Sequence, residues 1–214
     1  MKYTHVIWDF NGTILDDVEI GIESVNLMLS ARGLKTLDSV EAYREAFGFP
    51  IIDYYRALGF DFEKEDYHTV LAPEWVNNYL ERIPRTRAFD GVKETMTAIR
   101  QLGLIQVLLS ASEVNQLTGQ LCGLGLGLED YLSEIVGLDN IHAGSKKDNA
   151  LFWKARNPDA VPLFIGDTEH DAEVARAIGA DCVLFSGGHQ PRALLEGLGC
   201  PVIDSIPKLL DFVK

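Results

Sequence analysis

An acidic residue follows the first apolar run of the chain and opens a tight turn. In WDFNGTILDD (8–17), Asp9 ends the apolar run and Gly12 bends the chain. In GDTEHD (166–171), Asp167 follows a second apolar run in the same way. Two carboxylates from separate segments can share a hard cation, and Mg²⁺ prefers one or two carboxylates together with other oxygen ligands. Asp9 and Asp167 therefore predict a Mg²⁺ site.

Three further polar residues suit the oxygens of a phosphoryl group. Ser110 follows the apolar run VLL, and Lys146 and Lys147 lie in the polar stretch HAGSKKDN. A hydroxyl and an ammonium bind phosphoryl oxygens well, and a carboxylate held in line with phosphorus can attack it. The set predicts phosphoryl transfer through an aspartyl-phosphate on Asp9. The sequence GSK favours Lys146 over Lys147 as the phosphate ligand.

Short apolar runs, each followed by a turn and a helical pattern, must position these side chains. Such alternation predicts an α/β fold with a doubly wound parallel sheet, whose ligands bind at the carboxyl ends of the strands. The predicted strands span 5–8, 105–109, 163–165 and 182–185, with a shorter one at 135–136, and helices are predicted at 91–103 and 171–180.

Residues 16–85 interrupt the alternation with successive helical patterns and no strand. One of these helices, within 37–47, is expected to begin after a capping Asp38. We therefore expect an all-helical cap domain at 16–85, inserted into a core domain formed by 1–15 and 86–214. Specificity for the substrate is expected to reside in this cap.

Composition narrows the classes of function. The 214 residues carry a net charge of −13, which argues against a nucleic-acid partner but allows a small anionic substrate. Three widely spaced cysteines, Cys122, Cys182 and Cys200, are expected to be reduced thiols of a cytoplasmic protein. No signal peptide or membrane span is predicted, and the sequence leaves the oligomeric state open.

Four motifs in order resemble the haloacid dehalogenase-like hydrolase superfamily. They are DFNGT (9–13), VLLSAS with Ser110, GSKKDN with its lysine, and GDTEHD. The segment FGFPIIDYY (47–55) is similar to the specificity loop of phosphoglycolate-phosphatase-like members with a helical cap. The resemblance covers essentially the whole chain.

This resemblance implies a Mg²⁺-dependent phosphatase of a small phosphorylated metabolite. The implied roles are Asp9 as nucleophile and metal ligand, the backbone carbonyl of Asn11 and Asp167 as further metal ligands, Ser110 and Lys146 as phosphate ligands, and Thr13 and Asp171 as supporting residues.

Asn11 departs from the family pattern, in which an aspartate protonates the leaving group and then activates water. An amide can do neither, and the loss of a general acid/base costs on the order of 10²–10⁴ in rate. Three functions follow: a phosphatase that is slow or acts on acyl or aryl phosphates, a non-catalytic phosphate-binding or interaction protein, or a carbon–halogen hydrolase. The acids of GDTEHD count against the last. Asn11→Asp is expected to raise turnover on alkyl phosphates.

Several polar residues near these motifs are expected to have structural roles only. Asp16 and Asp17 would favour the positive N-terminus of the first cap helix. His170 is expected on a solvent-facing helix surface, and His189 is expected to be a structural or surface residue. Phe47 and Phe49 flank a glycine and are expected either in the cap core or over the substrate.

Overall fold

A six-stranded parallel sheet forms the core of the protein. The computed structural model describes residues 2–138 and 145–213. The strands are β1 (His5–Trp8), β2 (Leu15–Asp16), β3 (Arg87–Ala88), β4 (Ile105–Glu113), β5 (Glu134–Leu138), β6 (Pro162–Gly166), β7 (Asp181–Phe185) and β8 (Val202–Ile203). The sheet order is β5-β4-β1-β6-β7-β8, while β2 and β3 form a separate antiparallel pair. The predicted α/β class with a doubly wound parallel sheet is confirmed.

Helices cover both faces of this sheet. The α-helices are α1 (Val18–Ala31), α2 (Val40–Ala46), α3 (Ile51–Ala57), α4 (Ala72–Leu80), α5 (Val92–Gln101), α6 (Val114–Gly123), α7 (Lys146–Arg156), α8 (Glu169–Ala177), α9 (Arg192–Glu196) and α10 (Leu210–Val213). A π-helical turn (Tyr67–Leu71) precedes α4, and 3₁₀ turns span Ile83–Arg85, Leu128–Tyr131 and Ile206–Leu209. Among the described helices, none combines the length and apolar character needed to cross a membrane.

The alternation of side chains along β1 divides the core between the two faces. Val6 and Trp8 pack with residues of α5 and α6 on one face, whereas Ile7 packs with residues of α7 and α8 on the other. All three side chains are fully buried. A strand buried on both faces is continuously apolar, which is why the sequence around 5–8 predicted this strand.

The chain reverses its direction of winding at β1. It adds β4 and β5 on one side of β1, and then β6, β7 and β8 on the other. Ligands of open α/β sheets bind at such a switch point, outside the carboxyl ends of the strands. The residue that follows β1 is Asp9.

Residues 18–80, all of which the structure describes, contain helices and no strand. Apolar residues of α1, α2 and α3 form a hydrophobic cluster of their own, around Val25, Met28 and Tyr55. We propose that 16–85 form a cap domain on a core of 1–15 and 86–214. One cap helix begins differently from the prediction, because the Ser39 hydroxyl, and not Asp38, accepts the hydrogen bond from Ala42 N at the start of α2 (3.0 Å).

Candidate active site

The register of the central strands brings three predicted site residues to one edge of the sheet. Trp8 pairs with Leu108 of β4 on one side and with Ile165 of β6 on the other. Asp9, Ser110 and Asp167 therefore follow these paired positions by one or two residues. All three are buried, at 6%, 2% and 1% exposure.

Three carboxylates converge at this edge. One carboxylate oxygen from each of Asp9, Asp167 and Asp171 lies within 4.8 Å of those of the other two. This spacing fits a single cation with metal–oxygen distances of about 2.0–2.1 Å. The donor set consists of hard oxygen ligands, which suit Mg²⁺.

Lys146, the first residue of α7, joins this cluster. Its ammonium contacts Asp9 Oδ1 and lies 2.5 Å from Asp171 Oδ1, and only 5% of the residue is exposed. Lys147 is exposed. Residues 139–144 in the preceding segment lie outside the described residues. The described geometry brings Lys146, and not Lys147, to Asp9.

Asp171 has a second structural role at the start of α8. Its carboxylate accepts hydrogen bonds from the backbone N–H groups of Asp167 (3.1 Å) and Thr168 (3.0 Å) and from the Thr168 hydroxyl (2.7 Å). Thr168 and Asp171 form a capping box. One oxygen of Asp171 thus orders the loop that carries Asp167, while the other faces Lys146.

The cluster is electrostatically unbalanced. Four buried carboxylates (Asp9, Asp17, Asp167 and Asp171) face two buried cations (Lys146 and His189). Burial raises the pKa of Asp9 well above its usual range, and the charges of Asp171 and Asp167 add to this effect. Burial also raises the pKa of Asp167 to about 6. Two uncompensated negative charges in a buried site favour a divalent cation.

Lys146 is the main counterion inside the cluster. Burial alone would lower the pKa of Lys146, but Asp171 and Asp9 outweigh burial and raise it. Burial would likewise raise the pKa of Asp171, yet the ion pair with Lys146 lowers it. Lys146 therefore stays protonated and Asp171 ionised, so an ammonium that can hold an anionic oxygen lies beside Asp9.

Gly12 and Thr13 shape the turn that follows Asp9. Gly12 has a φ of +71°, in the left-handed region, and a Cβ at this position would collide with the Asp167 carboxylate. The Thr13 hydroxyl donates to Asp167 Oδ1 at 3.4 Å. Both residues thus support the position of Asp167.

The side chain of Asn11 is held on all of its polar atoms. Its Nδ2 donates to Asp17 Oδ2 at 3.0 Å and to the Tyr79 hydroxyl at 2.7 Å. Its Oδ1 accepts a hydrogen bond from the Ser112 hydroxyl at 3.1 Å. Ser112 lies two residues after Ser110, whose hydroxyl accepts from the Ser112 backbone N–H at 3.1 Å.

Asp17 lies at the N-terminus of the first cap helix, as expected, but it also has a second set of contacts. It is the N-cap residue of α1, although its side chain makes no capping hydrogen bond there. The carboxylate turns back and accepts from Gly12 N at 2.8 Å and from the Tyr79 hydroxyl at 2.6 Å. Asp17 therefore orders the turn that follows Asp9, a role that the sequence analysis missed.

His189, which was expected to be structural or at the surface, is the partner of this carboxylate. Its Nε2 lies 3.1 Å from Asp17 Oδ1, its Nδ1 lies 2.9 Å from the Tyr43 hydroxyl, and its backbone N–H donates to Asp167 Oδ2 at 2.7 Å. Burial would lower the pKa of His189, but Asp17 outweighs burial and raises it to about 9. A protonated His189 therefore lies between Tyr43 of α2 and the loop that carries Asp167.

These residues line a cavity of about 530 Å³. Polar groups from the core side include Asp9, Ser110 and Lys146, and aromatic residues of α2–α4 supply much of the remaining lining. Phe49 stacks on His170 with ring centroids 5.1 Å apart. His170 is thus partly covered and lines the cavity, contrary to the predicted solvent-facing position.

Comparison with known proteins identifies the family. Residues 6–185 match the family described as haloacid dehalogenase-like hydrolase. The match covers most of the chain and includes Asp9, Ser110, Lys146, Asp167 and Asp171, whereas His189 lies beyond it. The protein belongs to the haloacid dehalogenase-like hydrolase family.

Individual relatives agree with this assignment. The chain is 27% identical, over 96% of its length and 78% of the relative, to a phosphoglycolate phosphatase of Pseudomonas syringae pv. syringae. Two solved structures share the fold at 16% identity, over 100% of this chain and 99% of each. They are a haloacid dehalogenase-like family hydrolase from Streptococcus pneumoniae (TM-score 0.81) and a predicted phosphoglycolate phosphatase from Haemophilus somnus (TM-score 0.79).

Proposed function

We propose that this protein is a Mg²⁺-dependent phosphatase that hydrolyses a small phosphorylated metabolite through an aspartyl-phosphate on Asp9. The observation that carries the proposal is the cluster of Asp9, Asp167 and Asp171 with the Lys146 ammonium on the nucleophile. The phosphoglycolate phosphatases among the relatives support phosphoryl chemistry.

The metal fits the residues that would hold it. Asp9, Asp167 and the backbone carbonyl of Asn11 would be its ligands, with Asp171 supporting the site. When bound, Mg²⁺ would offset the repulsion between the Asp9 carboxylate and the phosphate and would stabilise charge in the transition state.

The residues of the chain divide the reaction between them. Lys146 and Ser110 bind the phosphoryl oxygens and orient phosphorus toward Asp9. A carboxylate oxygen of Asp9 forms a bond to phosphorus while the bond to the leaving oxygen breaks, and that oxygen departs with the electron pair. Water then attacks phosphorus, the bond to Asp9 breaks, and phosphate and the free carboxylate result.

Asn11 contributes no proton to either step. Its amide remains bound to Asp17, Tyr79 and Ser112, so it orders the turn but cannot act as an acid or base. This favours substrates whose leaving group departs without a proton. It also keeps a second candidate function open, a phosphate-binding protein on the same fold with no turnover.

The experiment is a phosphate-release screen over alkyl, aryl and acyl phosphates, with Mg²⁺ or with a chelator. Release is expected only with the metal, and Asp9→Asn is expected to abolish it because an amide does not attack phosphorus. Wild-type turnover by Asp9→Asn would contradict the covalent mechanism. Binding of phosphate or vanadate without release from any substrate would favour the binding protein.

A further inference from the structure

The cavity contains a charged end and an aromatic wall. Asp9, Ser110 and Lys146 line the end that would hold the phosphoryl group. The cap contributes Tyr54, Tyr67 and Trp75 among other apolar and aromatic residues to the same cavity. The atoms of a leaving group would therefore contact mostly aromatic and aliphatic surface.

Lys146 is the only lysine or arginine in the described lining of this cavity. The neighbouring Arg44 donates to the backbone carbonyls of Gly188 at 2.8 Å and Gly187 at 2.6 Å. Both ring nitrogens of His189 are engaged, one by Asp17 and one by Tyr43.

The remaining histidine of the lining, His170, stacks on Phe49, and its Nδ1 lies 3.6 Å from Glu173. A carboxylate on the leaving group would therefore find no lysine or arginine other than Lys146 in the described lining. Burial of an unpaired carboxylate costs several kcal/mol, so the lining disfavours an acidic leaving group such as glycolate.

Two buried polar atoms of the lining have no hydrogen-bond partner among the residues that the structure describes. They are the hydroxyl of Tyr54, a residue with 5% exposure, and Oε1 of Gln120. An unsatisfied buried polar group costs about 1–3 kcal/mol, and a neutral hydrogen-bonding group on a ligand removes that cost. These atoms suit a neutral, polar-substituted ligand.

The chemistry at Asn11 points in the same direction. Position 11 offers no carboxyl to protonate the leaving oxygen, which favours a group that departs as an anion. A phenol has a pKa of about 10, like the tyrosine side chain, whereas an alcohol is a far weaker acid. A phenolate is thus the better leaving group in this site.

From these observations we infer that the substrate is an aryl phosphate, the phosphate monoester of a neutral phenol, whose ring packs against the aromatic wall of the cap. This inference rests on the proposed phosphatase function and names its substrate class. Asp9 bonds to phosphorus, the bond between phosphorus and the aryl oxygen breaks, and the phenolate takes a proton from water on release.

The test compares kcat/KM of the full chain with Mg²⁺ on phenyl phosphate, 2-naphthyl phosphate and 2-phosphoglycolate. We expect the aryl phosphates to be preferred by about 100-fold, the size of effect that general-acid catalysis has at its lower end. A preference for 2-phosphoglycolate would overturn the inference and leave the phosphatase function standing.

Two exposed valines of the cap provide a matched pair of variants. Val76 lines the cavity and Val70 does not, and their exposed fractions are 38% and 39%. Val76→Arg supplies the missing cation and should move the preference toward 2-phosphoglycolate by about tenfold, whereas Val70→Arg should leave the ratio unchanged. An unchanged ratio in Val76→Arg would contradict the role assigned to charge.

If no substrate is turned over, calorimetry measures the binding of the ligands to the wild-type protein. Phenyl phosphate should then bind at least tenfold more tightly than inorganic phosphate or 2-phosphoglycolate. Equal or weaker binding of phenyl phosphate would overturn the aryl inference. If inorganic phosphate also failed to bind, the phosphate-binding alternative would fail together with the phosphatase function.

Discussion

The replacement Asn11→Asp tests which contacts stabilise the turn that follows Asp9. The structure shows that this replacement costs folding stability, which the sequence did not reveal, because Asn11 Nδ2 donates to Asp17 Oδ2 at a distance of 3.0 Å. A carboxylate oxygen in the place of this nitrogen would face another carboxylate. Two unit charges at that separation repel by about 5 kcal/mol at an effective dielectric constant of roughly 20.

Protonation limits this penalty. Holding a proton at pH 7 on a carboxyl of ordinary pKa, near 3.9, costs about 4 kcal/mol, and at pH 5 it costs about 1.5 kcal/mol. We therefore expect Asn11→Asp to lower the free energy of unfolding by about 2–4 kcal/mol at pH 7 and by less at pH 5. The folded-state pKa of the new carboxyl is raised, so the penalty grows as the pH rises above about 4.

The same proton gives the variant a general acid. Turnover on alkyl phosphates should rise toward 10²-fold, mainly on the acid side of neutral, while turnover on aryl phosphates changes little. Urea unfolding at pH 5 and pH 7 measures the first effect, and phosphate release from glycerol phosphate and phenyl phosphate measures the second.

A double variant provides the control. Asn11→Asp with Asp17→Asn exchanges the amide and the carboxylate and keeps one donor opposite one acceptor. It should recover at least half of the stability lost at pH 7. If the single variant is as stable as the wild type at both pH values, the contact between positions 11 and 17 does not have the importance assigned to it.

Three further outcomes follow from the site. Lys146→Ala should weaken vanadate binding at least tenfold while Lys147→Ala leaves it unchanged, because only Lys146 contacts Asp9. Equal effects of the two variants in a vanadate titration would refute this. Gly12→Ala should lower the unfolding free energy by about 2 kcal/mol or more, measured by denaturant unfolding, because its φ is +71° and its Cβ would meet Asp167. Asp167 has a pKa of about 6, so more of it is ionised at pH 7 than at pH 5. Mg²⁺ should therefore raise the thermal midpoint of unfolding more at pH 7 than at pH 5. A larger rise at pH 5 would contradict this.

Local patterns predicted much of the core. A strand buried on both faces is continuously apolar, so 5–8 marked β1 and the residue after it marked Asp9. The strand ends also gave Ser110 and Asp167. The boundaries were less accurate, since β4 extends to Glu113 and the two-residue β8 was not predicted at all. A strand of two residues contains too few side chains to show alternation.

The residues that sequence reasoning missed owe their roles to distant partners. Asp17 and His189 meet across 172 positions of the chain, and neither has a local pattern that indicates the other. Two adjacent acids before α1 were a signal, because one acid is enough to favour a helix N-terminus. His189 follows two glycines in a loop, and only the fold brings it to Asp17 and Tyr43.

The amide of Asn11 is hydrogen-bonded through both its nitrogen and its oxygen. Its two N–H groups are directed to Asp17 and Tyr79, and its oxygen accepts from Ser112. An ionised carboxylate has no hydrogen to donate, so it would leave Tyr79 and Asp17 without this donor and add a like charge. Tyr79 belongs to α4 of the cap and also lines the cavity. The same amide thus joins the turn that follows Asp9 to a helix that lines the cavity. A site arranged around an amide donor fits a reaction in which the leaving oxygen needs no proton.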